Sequence, residues 1–85
     1  MPTLILTDPF KIQFQLLTDL EQKQSAKALR LITDNPKHPS LNVHRVKGTV
    51  LWEAYVNKDI RIIYEQNSDT LLLKAIGHHD ILKKY

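Results

Sequence analysis

The residues of this sequence best suited to acid–base chemistry are two adjacent histidines followed by an aspartate. His78, His79 and Asp80 are consecutive. Histidine titrates near neutral pH and a flanking carboxylate can orient its ring, so this triplet suits acid–base catalysis. It is a weak metal site, because adjacent histidines on extended backbone point apart and no further ligand stands at helical spacing. The alternative, equally favoured by the residues, is that one histidine caps the sheet and the other is solvated.

Arg61 and Glu53 form a second candidate cluster, on two strands that are predicted to pair. A three-residue loop at 57–59 would place Arg61 opposite Tyr55 and near Glu53; a two-residue loop would shift every side chain to the other face. Arginine in that position could hold a phosphate through two parallel hydrogen bonds. The alternative is a surface ion pair between Arg61 and Glu53 with little effect, and periodicity alone slightly favours it.

The N-terminal half must supply the layer that supports these residues. Residues 3–7 form an apolar run that predicts a strand, and Asp8-Pro9 predicts a helix start with Asp8 as the cap. Thr18 and Glu21 fit a capping box, which predicts that a second helix begins there. Asn35-Pro36 ends it, because the residue before proline disfavours helical backbone. The apolar face of this second helix is expected to carry Leu20, Ala28, Leu31 and Ile32.

Alternating residues in the C-terminal half predict strands at residues 41–47, 50–56, 60–66 and 70–76, with Gly77 ending the sheet. The order β-α-α-β-β-β is an α+β fold in which a helical hairpin packs on one face of a small antiparallel sheet. The face toward the helices is predicted to carry Trp52, Ala54, Ile60, Ile62 and Tyr64. The other face, predicted to be uncovered, would carry Glu53, Tyr55, Arg61 and Ile63, with Leu51 near them.

Composition limits the classes of protein that this chain can be. Its 85 residues, 42% hydrophobic and 25% charged, suit one globular domain spanning residues 1–85, with residues 78–85 as a basic tail. With no cysteine there is neither a disulfide framework nor a thiolate metal site. No window approaches the roughly 20 apolar residues that span a bilayer. We therefore expect a cytoplasmic protein without metal, cofactor or membrane, and the net charge of +3 weakly favours a polyanionic partner.

Taken in order, these motifs resemble the RelE/ParE superfamily of toxin–antitoxin toxins. The resemblance covers nearly the whole chain and rests on the helical hairpin and on four short motifs. These are Asn35-Pro36-Lys37-His38-Pro39-Ser40-Leu41, Leu51-Trp52-Glu53 to Val56-Asn57, Arg61-Ile62-Ile63-Tyr64 and Gly77-His78-His79-Asp80. It implies the fold predicted above and an endoribonuclease, free or ribosome-dependent, that cuts mRNA without a metal by attack of the ribose 2′-hydroxyl on the adjacent phosphate.

The resemblance also implies roles for individual residues. Arg61 would stabilise the phosphate, His79 or His78 would protonate the leaving 5′-oxygen, and Glu53 could serve as the base. Further RNA contacts would come from Arg45, Lys47, Lys74, Lys83 and Tyr85. The sequence departs from the pattern because Lys83 stands where related chains often have tyrosine, and because Glu53 and Tyr55 replace strand lysines.

Two other functions remain open at this point. ParE-like members bind and poison DNA gyrase without cutting RNA, and a degenerate member would only bind its antitoxin. The expected partners are a cognate antitoxin and mRNA, on or off the ribosome. An open sheet edge, with Leu51 and Ile63 on the uncovered face, could serve either a homodimer or an antitoxin strand.

Overall fold

The computed structural model describes residues 2–80, which form two helices and one five-stranded sheet. The strands lie in the order β1-β5-β4-β3-β2. Between α2 and β2 a short 3₁₀ helix spans Pro39–Leu41. The elements in chain order are β1 (Thr3–Leu6), α1 (Asp8–Gln15), α2 (Asp19–Asp34), β2 (His44–Arg45), β3 (Trp52–Tyr55), β4 (Ile60–Asn67) and β5 (Thr70–His78).

Both helices begin at threonine caps. Thr18 accepts a hydrogen bond from the amide of Glu21, whose side chain accepts one from the amide of Thr18, so the predicted capping box is confirmed. The predicted cap of α1 is wrong by one residue: Thr7 is the cap and Asp8 is already helical. Thr7 is preferred because its hydroxyl accepts from Phe10 and also donates to the carbonyl of Leu73 at 2.8 Å, which ties the helix start to β5.

The sheet confirms the predicted α+β class with one addition. Strands β2 to β5 pair antiparallel, as expected, but β1 runs parallel to β5, so the sheet is mixed. The helical hairpin between β1 and the other strands lets β1 add to the β5 edge in this direction. Strand β5 also continues past Gly77 to His78, and its register against β4 shifts between Ile63 and Tyr64.

The helices cover one face of the sheet and form the main core with it. Ala54, Ile60, Ile62 and Tyr64 are buried there, as predicted, and Trp52 is half-buried against the same core. Leu20, in the first turn of α2, does not belong to the core: 65% of its surface is exposed, which corrects the prediction. The other fully or almost fully buried members are Phe10, Ala28, Ile32, Leu41, Leu71, Leu73 and Ile76.

The opposite face of the sheet, called the second face below, is not the open surface that the sequence predicted. Leu51, Ile63 and Ala75 form a smaller apolar cluster there, with Val46 packed against it. Ile63 is completely buried, which corrects the prediction that it lies on an uncovered face. The reason is the turn between β2 and β3, where the amide of Val46 donates to the carbonyl of Leu51 at 2.9 Å and brings both side chains over the sheet.

The predicted strand at residues 41–47 shrinks to the two residues of β2. Leu41 ends the 3₁₀ helix and is buried in the main core, and Asn42 has a positive φ of 45°, which interrupts extended backbone. The chain therefore reaches the sheet only at His44. None of the helices within residues 2–80 has the length and hydrophobicity required to cross a membrane.

Candidate active site

The second face carries a histidine–carboxylate pair at its β2–β3 edge. His44 lies opposite Glu53 in the strand register, and its Nε2 is 2.7 Å from Oε1 of Glu53. The Glu53 side chain is buried, whereas 45% of the His44 side chain is exposed. The other carboxylate oxygen, Oε2, is buried and has no hydrogen-bond partner within residues 2–80. The buried carboxylate of Glu53 is therefore linked to the surface of the molecule by its contact with the exposed His44.

Both ring nitrogens of His44 lie within hydrogen-bond distance of an oxygen atom. Nδ1 lies 2.7 Å from the carbonyl oxygen of Asn42, which can only accept a hydrogen bond. Nε2 faces a carboxylate, which also accepts when it is ionised. Both contacts are satisfied when the ring carries a proton on each nitrogen. In that form the pair would be an imidazolium beside a buried carboxylate.

Arg61 lies on the same face and is held by the β3–β4 turn. Its Nη1 donates to the carbonyl oxygens of Asn57 at 2.6 Å and of Ile60 at 3.3 Å. The guanidinium carbon is 3.6 Å from the centroid of the Tyr55 ring, a cation–π contact. Arg61 is paired with Tyr55 across the strands, so the predicted three-residue loop is confirmed. No ion pair joins Arg61 to Glu53 within residues 2–80, because that carboxylate contacts His44 instead.

Tyr55 contacts both the imidazole of His44 and the guanidinium of Arg61. Its ring meets that of His44 edge-on, with the ring centroids 5.9 Å apart. The guanidinium carbon of Arg61 lies 3.6 Å from the centroid of the Tyr55 ring. The imidazole of His44 is exposed, whereas Arg61 is only 8% exposed, which corrects the prediction that Arg61 lies on an uncovered face. An anion beside Tyr55 would meet the His44 imidazole on one side and the remaining N–H groups of the Arg61 guanidinium on the other.

The two C-terminal histidines are separated by the alternation of the strand. His78 pairs with Ile60, which belongs to the core under the helices, and it lines a cleft with Leu17 and Glu21 of the helical layer. Arg61 pairs with Gly77 and lies on the other face. His79 is exposed in a short 3₁₀ turn directly after β5. The structure therefore does not bring His78 together with Arg61.

The remaining predicted RNA contacts are spread over the molecule. Arg45 is exposed on β2, with its guanidinium carbon 4.6 Å from the centroid of the Trp52 ring. Lys47 is exposed in the β2–β3 turn, and Lys74 is the unpaired residue at the register shift of β5. Lys83 and Tyr85 lie outside the described residues. Within residues 2–80 no group of three or more His, Cys, Asp or Glu side chains is arranged to hold a metal ion.

Two residues of this site were missed by reasoning from the sequence. His44 carries no motif, and only the β2–β3 register brings it to Glu53. Asn57 was interpreted as a turn residue, yet its Oδ1 accepts from the amides of Asp59 and Ile60 at 2.7 Å while its carbonyl holds Arg61. The signal that could have revealed His44 was the glycine-containing turn between it and Glu53, because an antiparallel hairpin around that turn can place the two residues opposite each other.

Comparison with known proteins identifies the class of this fold. By sequence, no protein-family model and no curated protein matches the chain. By structure, the chain superposes on solved toxin structures over almost their whole length. A metal-bound toxin from Helicobacter pylori is 24% identical, with 96% of this chain and 99% of that chain covered and a TM-score of 0.80.

Two further neighbours were solved as complexes. YafQ in the Escherichia coli DinJ–YafQ complex is 17% identical, with 96% and 98% of the two chains covered and a TM-score of 0.79. The RelE–RelB complex from Pyrococcus horikoshii OT3 matches at 16% identity, with 91% and 93% covered and a TM-score of 0.76. The chain therefore has the toxin fold of the RelE and YafQ type, which confirms the fold that the resemblance implied.

Proposed function

We propose that this chain is the toxin of a toxin–antitoxin pair and that it cleaves RNA on the second face of its sheet. The observation that carries the proposal is the group formed by His44, Glu53, Tyr55 and Arg61 on that face. A protonated imidazole and a guanidinium on either side of one aromatic ring suit a phosphodiester, whose transition state gains negative charge. The likeness to toxin structures supports the same function.

In the proposed reaction the ribose 2′-oxygen forms a bond to the adjacent phosphorus, and the bond from phosphorus to the 5′-oxygen breaks. The products are a 2′,3′-cyclic phosphate and a 5′-hydroxyl. Arg61 and His44 stabilise the charge on the phosphoryl oxygens. His44 exchanges the Asn42 carbonyl for the departing 5′-oxygen and gives it the Nδ1 proton, while the Glu53 carboxylate orients the ring.

His79 is the proposed base that takes the proton of the 2′-hydroxyl. The resemblance implied the opposite division, with Glu53 as base and His79 or His78 as acid. We reverse it because Glu53 is buried behind His44, whose two hydrogen bonds favour a protonated ring. His78 has no part in the proposal, since it lies on the face toward the helices. Arg45, Lys47 and Lys74 remain proposed RNA contacts, together with Lys83 and Tyr85.

A protein antitoxin is the proposed partner, supported by the neighbours that were solved as DinJ–YafQ and RelE–RelB complexes. We expect expression of the chain alone to arrest growth and the Arg61→Ala variant to arrest it less. Undiminished toxicity of a folded Arg61→Ala chain would remove Arg61 from the mechanism.

The activity is tested by incubating the purified chain with an RNA oligonucleotide and, separately, with translating ribosomes. Products ending in a cyclic phosphate are expected. Arg61→Ala should reduce cleavage by about a hundredfold or more, the effect of losing one transition-state donor, and Arg61→Lys should restore part of it because the charge returns without the planar fork. If wild type is inert with both substrates, RNA cleavage is wrong, and inhibition of gyrase supercoiling is the next assay.

The division of acid and base is tested with a substrate whose leaving 5′-oxygen is replaced by sulfur. A thiolate departs without protonation, so this substrate should rescue the His44→Ala variant and leave the His79→Ala variant slow. Rescue of His79→Ala instead would restore the division that the sequence suggested. A circular dichroism spectrum and a thermal melt of each variant serve as folding controls.

A further inference from the structure

A cavity of about 640 Å³ opens on the helix side of the β2–β3 edge, away from the candidate active site. This volume is within the range of sites that hold small organic molecules. Two aromatic residues contribute to its wall: Trp52, which is half-buried, and Tyr64, which is 3% exposed. The cavity thus offers flat apolar surface for a planar ring.

Polar groups able to read the edge of such a ring surround the aromatic surface. The side chains of Asn42 and Gln66 line the cavity, and each amide can donate and accept. Desolvation by burial raises the pKa of Tyr64, which keeps its hydroxyl protonated. Within residues 2–80 the side-chain hydrogen bonds involve neither the two amides nor this hydroxyl.

His38 adds a donor with a defined tautomer. Its Nδ1 accepts a hydrogen bond from the amide of Ser40 at 3.1 Å, so in the neutral ring the proton is on Nε2. Lys37 supplies a positive charge at the same cavity, and no Asp or Glu belongs to the described residues that line it. The charge balance therefore favours a ligand that carries an anion beside its ring.

The cavity and the candidate active site lie on opposite faces of one two-residue strand. His44 and Glu53 pair on one face, while Arg45 and Trp52 pair on the other. Asn42 connects them, since it lines the cavity and its main-chain carbonyl oxygen lies 2.7 Å from Nδ1 of His44. A strand of RNA crossing this edge can thus have a phosphate near His44 and a neighbouring base on the other side, with Arg45 between them.

From this arrangement we propose that the cavity is a binding site for one unpaired nucleobase of the RNA substrate. The base takes the place of the exposed Arg45 guanidinium over the Trp52 ring, which leaves Arg45 free to contact the RNA backbone. Its edge is read by the amides of Asn42 and Gln66, with Tyr64 and His38 as additional donors. The proposal rests on the proposed function in naming RNA as the source of the base. It assigns to this cavity a share in the choice of cleavage site.

Trp52 makes the test direct, because it is the single tryptophan of the chain and its fluorescence reports on the cavity. The probes are 2′-O-methyl tetranucleotides, which cannot be cleaved by 2′-hydroxyl attack, and an abasic tetranucleotide with the same backbone and charge. We expect the base-bearing probes to quench Trp52 and the abasic probe to leave it unchanged. Titration with adenosine 5′-monophosphate distinguishes a free nucleotide from a base held within a strand.

Variants then test the side-chain amides that are proposed to bind the edge of the base. Gln66→Ala and Asn42→Gly, the latter compatible with the positive φ of Asn42, should each weaken the quenching titration by about tenfold for the preferred base, the scale of one bidentate amide contact. Lys58→Ala, an exposed residue of the β3–β4 turn, is the matched control and should change nothing.

Equal responses to the abasic and base-bearing probes would overturn the nucleobase site, even if the chain cleaves RNA. A change in Trp52 fluorescence on addition of an acidic peptide, with no change on addition of the nucleotides, would also overturn the nucleobase site in favour of a protein ligand. The proposed function fails separately: base-specific quenching in a wild-type chain that cuts no RNA would leave the cavity assignment standing and remove the nuclease activity.

Discussion

His44 and Glu53 show how a residue without a motif acquires chemistry through its neighbours. Glu53 is buried, and within residues 2–80 its carboxylate is paired with the imidazole alone, at 2.7 Å. A buried charge that loses its partner is destabilising because it keeps its desolvation cost without the compensating attraction. The pair therefore affects stability as well as the proposed reaction, and the two effects can be separated.

We predict that His44→Ala lowers the free energy of unfolding by about 1–3 kcal/mol, the usual cost of an unsatisfied buried polar group. The double variant His44→Ala with Glu53→Gln should recover part of that loss, since the amide carries no charge to bury. Urea denaturation of both variants and of Glu53→Gln alone measures the coupling. Additive losses in the double variant would show that the two side chains do not stabilise each other.

The turn between β3 and β4 is the element that positions Arg61. Asn57 accepts from two turn amides, donates from Nδ2 to Gln24 of α2 at 2.9 Å, and offers its carbonyl to Arg61. The turn thereby links the helical layer to the second face. The loop length was predictable, because keeping Ile60 and Ile62 in the core requires it. The hydrogen bond from Asn57 to α2 was not predictable, because it depends on where Gln24 lies.

Asn57→Ala should destabilise the fold by about 1–3 kcal/mol, since it leaves two turn amides without their acceptor. Asn57→Asp is the matched control: it keeps the acceptor oxygens and loses only the donor to Gln24, so it should cost less. Thermal melts compare the two variants. Equal losses for alanine and aspartate would mean that the contact to α2, and not the turn, carries the stabilisation.

The helix starts were the most predictable elements, because capping chemistry is local. Thr18→Ala removes the acceptor for the amide of Glu21 and should cost about 1 kcal/mol, while Thr18→Ser should be nearly neutral. Chemical denaturation resolves a difference of this size. A serine variant as unstable as the alanine variant would assign the effect to the methyl group of Thr18.

Strand β2 and the second face were the least predictable, because both depend on contacts distant in sequence. Alternation at residues 41–47 matches a strand, yet Leu41 is needed in the main core and Asn42 turns the chain with a positive φ. Likewise, alternation placed Ile63 on the second face correctly but could not show that Leu51 and Val46 pack beside it. Local pattern gives the face of a residue, and packing decides its exposure.

At the scale of the whole molecule, the single sheet carries two candidate sites at one edge. The second face holds the histidine–carboxylate pair and Arg61, and the helix face holds the cavity with Trp52 and Tyr64. The main core runs between the sheet and the helices and includes Tyr64. Tyr64 therefore belongs both to the core and to the cavity, so its ionisation affects folding.

This predicts a loss of stability at alkaline pH that depends on Tyr64. Burial raises the pKa of Tyr64 above its ordinary value of 10.0, so the unfolded chain loses this proton at a lower pH than the folded chain does. The stabilisation is complete below pH 10.0 and falls as the pH rises from there through the folded-state pKa. Urea denaturation of wild type and Tyr64→Phe, from pH 9 upward, should show a steeper alkaline loss in wild type, because phenylalanine has no proton to release. Lysine and arginine titrate in both proteins and cancel in the comparison. Parallel curves for the two proteins would mean that the phenol keeps its solvation in the folded state, and the cavity would then have to be wetter than the burial of Tyr64 implies.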